Sequence, residues 1–188
     1  MNMGASCRPI PWRLGILSMK PHFAIRLTEL LGRHKVSNAN LEVVSEAAKM
    51  RDAPDIIDKF LPTRTIHFDP ECIMSGEDFE TVVGHFADAT GGAWDLSELE
   101  GKMDWRAERG AVDFEVAGVA YHWEFEQIAD YVSSELLKHI ELFARTHLPG
   151  DFVEVPSPDQ CYCAVYLERP AAQELRPLFE EYKDAFSH

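Results

Sequence analysis

Along residues 111–126, AVDFEVAGVAYHWEFE, apolar and polar positions alternate. Val112, Phe114 and Val116 are separated by Asp113 and Glu115, and after Gly118 the residues Val119, Tyr121, Trp123 and Phe125 alternate with Ala120, His122, Glu124 and Glu126. A period of two sends successive side chains to opposite faces. The pattern therefore predicts a β-hairpin turned at Gly118, with one apolar and one polar face. Such a ribbon belongs to an antiparallel sheet that is covered on one side only.

Elsewhere the spacing becomes helical. Leu30–Leu31, Leu41, Val44 and Ala48 recur at helical intervals, with Asn38 or Asn40 as N-cap, and Pro54 opens DIIDKFL, whose Ile56, Ile57 and Phe60 share a face before Pro62. TRTIHFDP reads as a short strand that stops at Pro70. Ser75 with Asp78 three residues on resembles a capping box, Phe79, Val82, Val83 and Phe86 form a stripe, and Gly91–Gly92 end that helix. After the hairpin, Asp130 is the expected cap of a helix reaching about His147, with Val132, Leu136, Ile140, Phe143, Ala144 and His147 on one side. DFVEV and QCYCAVYL then form a second strand pair joined by PSPD, and Pro170 starts a last helix carrying Leu175, Leu178, Phe179, Tyr182 and Phe186. Pro177 is expected to kink or divide that helix.

The order β-β-α-β-β-α, with strands in adjacent pairs, predicts an α+β fold: an antiparallel sheet built from two hairpins with helices packed on one face, preceded by an N-terminal helical segment. At 188 residues the chain is expected to hold one domain over 21–188, helical through 62 and sheet-and-helix from 63. Residues 1–20 read as a flexible extension. The 46% apolar fraction excludes a disordered chain. No run approaches the roughly 18 apolar residues of a membrane span, and no secretory pattern is complete at the start, so a cytoplasmic location is expected.

Charge changes the picture. The net −14 is uneven: residues 1–70 hold ten Lys/Arg against seven Asp/Glu, whereas residues 71–188 hold eight against twenty-five. An acidic surface repels nucleic acid and anionic lipid and attracts basic proteins or cations. Nucleic-acid and membrane partners are excluded on that ground, and a basic protein partner is expected. Cys161 and Cys163, as C-x-C on a strand, would share the apolar face as small buried side chains in a reducing compartment.

Standard catalytic signatures are absent: there is no phosphate-binding glycine loop, H-E-x-x-H, G-x-S-x-G or dinucleotide fingerprint. What remains is the hairpin row of Asp113, Glu115, His122, Glu124 and Glu126. Pairing could set a carboxylate opposite the imidazole, with Cβ atoms about 5 Å apart. That arrangement serves general acid–base catalysis or a hard-metal site if it is enclosed, and partner recognition if it is hydrated. Trp94 and Trp105 are either core residues or anchors for a partner.

The run AGVAYHWEFEQIADYVSSELLKHI followed by GDFVEVPSPDQCYCAVYL resembles a pattern in small acidic bacterial immunity proteins of polymorphic or contact-delivered toxin systems. The similarity covers about residues 94–168: a glycine-turn hairpin ending aromatic-x-Trp, Gln127 and Asp130 opening a helix, and Gln160 entering an apolar strand. It implies a fold-shaping pattern without catalytic residues. The expected function is a non-enzymatic, cofactor-free acidic module that binds a basic protein, an immunity protein neutralising a toxin domain, with Asp113, Glu115, His122, Glu124 and Glu126 as contacts and Trp94 or Trp105 as anchors. Two alternatives stay open. One is a small hydrolase or metal-dependent enzyme using His122 with the neighbouring carboxylates; the other is a homo-oligomeric scaffold, in its simplest form a homodimer.

Overall fold

The computed structural model describes residues 21–34, 52–157 and 160–184. The expected extension over 1–20, the stripe at Leu41, Val44 and Ala48 with its caps Asn38 and Asn40, and Phe186 lie outside these residues. The fold is α+β, with five helices and six strands among the described residues. They group into two compact units, one from residues up to 69 together with 152 onward, the other from 70–151. Where one sheet built from two hairpins was expected, each strand pair recruits a third strand into a sheet of its own.

In the first unit, α1 (Pro21–Arg33), α2 (Ala53–Phe60) and α5 (Arg169–Asp184) pack with a sheet of order β1-β6-β5, formed by Thr65–Phe68, Tyr162–Glu168 and Gly150–Glu154. Asp52 caps α2 by accepting the Asp55 N–H at 3.0 Å, and Pro54 sits in the first turn, where no N–H is needed. β1 runs antiparallel to β6 from Thr65↔Val165 to Phe68↔Tyr162. Leu27, Leu31, Ile56, Ile57, Val165, Leu167, Leu175 and Phe179 are buried together. Arg26–Glu181 and Arg33–Glu174, both at 2.7 Å, tie α1 to α5 on the wet side. Pro177 does not divide α5. It lies on the exposed side, where water can hydrate the carbonyl its ring deprives of a partner.

In the second unit, α3 (Gly76–Ala89) and α4 (Ser134–His147) cover one face of a meander of order β2-β3-β4, formed by Leu96–Asp104, Arg109–Val116 and Val119–Glu126. The Asp78 carboxylate accepts the Ser75 N–H at 2.8 Å and the Met74 N–H at 2.9 Å, so the expected cap of α3 is in place. α4 starts later than expected. Its cap is Ser133, whose hydroxyl accepts the Glu135 N–H, while Asp130 is exposed and offers its carbonyl to the Ile73 N–H at 2.8 Å. The chain between β4 and α4 is held instead by buried Gln127, whose amide donates to the carbonyls of Ala129 and Tyr131.

The hairpin forms where the alternation placed it. Ala117 (φ 52°) and Gly118 (φ 77°) are both left-handed, as a two-residue turn matching the strand twist requires. Val112, Phe114, Trp123 and Phe125 are buried, and Phe79 of α3 meets Phe125 edge-on at 5.0 Å. Phe114 lies 4.7 Å from Trp123, and Phe143 of α4 stacks on Trp94 at 4.7 Å. Gly76 and Gly101 let α3 touch the backbone of β2, since a Cβ on either would strike the other's carbonyl. The strand β2 was not anticipated: it has a bulge between Ser97 and Glu100, with Glu98 at φ 51°, and its outward positions are mostly polar. No helix among the described residues is long and apolar enough to cross a membrane.

Candidate functional site

The uncovered face of the β2-β3-β4 sheet carries the hairpin acids. Cross-strand register sets Glu100, Asp113 and His122 in one row, Lys102, Ala111 and Glu124 in the next, and Asp104, Arg109 and Glu126 in a third. Glu115 stands between Ser97 and Ala120 nearer the hairpin tip. The face thus holds six carboxylates against Lys102 and Arg109, with His122 among them. Its rigidity comes from the other side, where the same strands are anchored by Val112, Phe114, Trp123 and Phe125.

Asp113 is the hub. Its Oδ1 lies 2.6 Å from His122 Nδ1 and its Oδ2 accepts from Lys102 Nζ at 2.9 Å, while Lys102 also reaches Glu100 at 3.0 Å. The Lys102 ammonium first, and the imidazole second, hold the Asp113 carboxyl below the usual carboxylate range. The hydrogen bond to Asp113 raises His122 above the ordinary imidazole value, and the same carboxylate raises Lys102. The His122 side chain is 55% exposed and that of Asp113 34%. Water therefore competes for every one of these contacts, and each pair contributes little to stability.

The sequence left open whether Asp113 or Glu115 stands opposite His122 or Glu124; the register selects Asp113 with His122, and Glu100 and Lys102 went unread because β2 was not recognised. The signal was present in the spacing of two between Glu100, Lys102 and Asp104. Glu124 and Glu126 are exposed as expected. His122 Nε2 approaches Glu124 only to 3.8 Å. Trp94 must be removed from the candidate contacts. It is 2% exposed, because the turn after α3 folds it back among Phe114, Trp123 and Phe143, with its backbone N–H donating to Thr90 Oγ1 at 2.9 Å. Trp105, in the turn between β2 and β3, is 45% exposed and stays available.

The Asp113–His122 pair has the composition of a general acid–base dyad, yet Lys102 already engages the second carboxylate oxygen and both groups are wet. Among the described residues, no three His, Cys, Asp or Glu side chains converge so as to hold a metal ion. Cys161 and Cys163 do not form the expected matched pair. Cys163 is a buried free thiol pushed up to about 12 by desolvation, whereas Cys161 is half-buried and disulfide-bonded. The expectation of two reduced thiols fails for Cys161.

Comparison with protein-family models, curated proteins and solved structures found no match to this chain.

Proposed function

We propose that this chain is a protein-binding module that presents the acidic sheet face of residues 70–151 to a basic partner, in the manner of an immunity protein that occludes a toxin domain. The observation that carries the reading is the pairing of hydrated carboxylates with a rigid support. Asp113, Glu115, Glu124 and Glu126 project from strands whose opposite side is fixed in an aromatic core. A backbone fixed beforehand need not be ordered on docking, and a predominantly acidic face accelerates encounter and selects among partners. Trp105 supplies an amphipathic ring at the rim of the same sheet.

Co-purification at low salt with the product of a neighbouring gene tests the proposal. A basic protein should be retained by the unmodified chain and released when Glu124→Lys and Glu126→Lys are combined. Retention that ignores both the charge reversal and added salt would remove the reading. The enzyme alternative rests on the 2.6 Å contact between Asp113 and His122 alone. Turnover of a substrate that disappears in His122→Ala would favour it over docking.

A further inference from the structure

The edge of the β2-β3-β4 sheet at β4 is closed along half its length. Glu126 N–H donates to Glu135 Oε2 at 2.8 Å, Glu126 C=O accepts from Ser133 Oγ at 2.7 Å, and His139 Nε2 lies 3.3 Å from the Glu124 carbonyl. All three blocking side chains come from the start of α4 or the residue capping it. On the opposite edge, Glu80 of α3 takes the Gly101 N–H of β2 at 2.9 Å. Side chains from helices thus stand in for missing neighbour strands, a recognised way of protecting sheet edges.

The half of β4 nearer the turn has no such cover. Backbone groups of an antiparallel strand point alternately toward and away from its neighbour. The Gln127 N–H bonds inward to the Glu108 carbonyl, whereas the Glu126 groups face outward to α4. By the same alternation, the N–H groups of Ala120, His122 and Glu124 and the carbonyls of Ala120 and His122 also face outward, and the Val116↔Val119 pair closes the hairpin inward. No side chain or backbone group among the described residues meets them. Ala120 and Val119 are exposed beside this opening.

We propose that Val119–Glu124 is a strand-addition edge that accepts an extended basic segment of the partner, antiparallel to β4. The inference rests on the acidic docking face proposed above and specifies how it is engaged. In antiparallel addition, partner residues directly opposite Ala120, His122 and Glu124 bond to those residues and point their side chains to the same sheet face. Lys or Arg at every second position would then lie along Glu124 and beside Asp113, with apolar residues between them on the side of Val119. A second copy of this chain brings the edge no cationic side chain to match its acids, because full antiparallel overlap sets Glu124 opposite Ala120 and His122 opposite His122.

A synthetic, end-capped peptide of alternating Lys and Val, titrated at low salt against the full chain, tests the edge. The unmodified peptide should bind and should protect the Ala120 and His122 amides from hydrogen exchange. Ala120→Pro removes an outward N–H without touching the ladder to β3 and should weaken binding about tenfold, as should N-methylation of the peptide's lysines. N-methylation of its valines should leave antiparallel binding intact. If Glu124→Lys with Glu126→Lys abolishes binding while Ala120→Pro and both methylations do nothing, the acidic face stands and the edge is overturned. No binding at low salt overturns both. Should Ala120→Pro fail to fold, unchanged exchange at Ala120 and His122 in the unmodified protein on peptide binding decides against the edge. A concentration-dependent dimer lost on Ala120→Pro would assign the edge to a second copy and overturn the proposal.

Discussion

The two sheets have three strands each and opposite surroundings. In the β1-β6-β5 sheet, Cys163 through Leu167 are buried without interruption, so β6 is covered on both faces and reads as a continuous apolar run. In the β2-β3-β4 sheet, burial alternates along β4 and its polar face stays wet. A strand enclosed on both sides contributes only to stability. One enclosed on a single side can hold side chains rigidly in water, and that is where a partner can meet them. The cores differ in kind as well: α1, α2 and α5 bring mostly Leu, Ile and Ala, while residues 70–151 rely on Phe and Trp in mutual contact.

The sharpest way to break this contrast is to empty each core. Phe114→Ala should cost about 3–5 kcal/mol in urea unfolding, and Leu175→Ala about 2–5 kcal/mol, since both side chains are buried and leave cavities. A shift below about 1 kcal/mol in either would mean that its surroundings are not close-packed. Next in size is Gly110→Ala, because a Cβ there would press into the rings of Phe125 and Phe79; a loss of about 1–3 kcal/mol is expected. On the wet face the ordering inverts. Glu124→Lys should alter stability by no more than about 0.5 kcal/mol yet reduce the salt-sensitive association rate with a basic partner, read by stopped-flow at two ionic strengths.

The smallest effect is the pH dependence of the Asp113–His122 pair. His122 is raised in the folded chain, so its contribution is complete below the ordinary imidazole value of about 6.5 and fades as pH rises through the raised value. Asp113 is lowered, so its contribution is present above the ordinary carboxylate value of about 3.9 and is lost as pH falls through the lowered one. Between those limits both act. The Tm difference between the unmodified chain and His122→Ala should shrink toward alkaline pH, by an amount worth less than about 1 kcal/mol because solvent screens the pair. A difference that grows instead would contradict the Asp113 contact.

Legibility followed pattern strength. The hairpin, its turn at Gly118, the cap at Asp78 and the stripes of α2 and α3 could be read directly, because each rests on contacts within a few residues. The start of α4 was misread because Asp130 has the composition of a cap, while the segment carrying it is pinned by Gln127 and by the chain before α3. Of the site, a carboxylate beside His122 was legible but not which one, and Lys102 was missed, since Gly101 and a bulge leave only a weak alternation in a mostly polar edge strand. Trp94 was ambiguous for a related reason: a lone Trp after a glycine turn fits a core and a rim equally well.

By itself, the sequence determined which residues can share a face, because periods of two and of 3.6 are properties of the backbone and need no partner. It also determined where acidity accumulates. Only the tertiary structure decided that the two strand pairs join different sheets, that Trp94 is enclosed while Trp105 is not, and that α4 seals one half of the β4 edge and leaves the other open. Those outcomes depend on segments distant along the chain meeting in space, and local periodicity carries no information about which segments will meet.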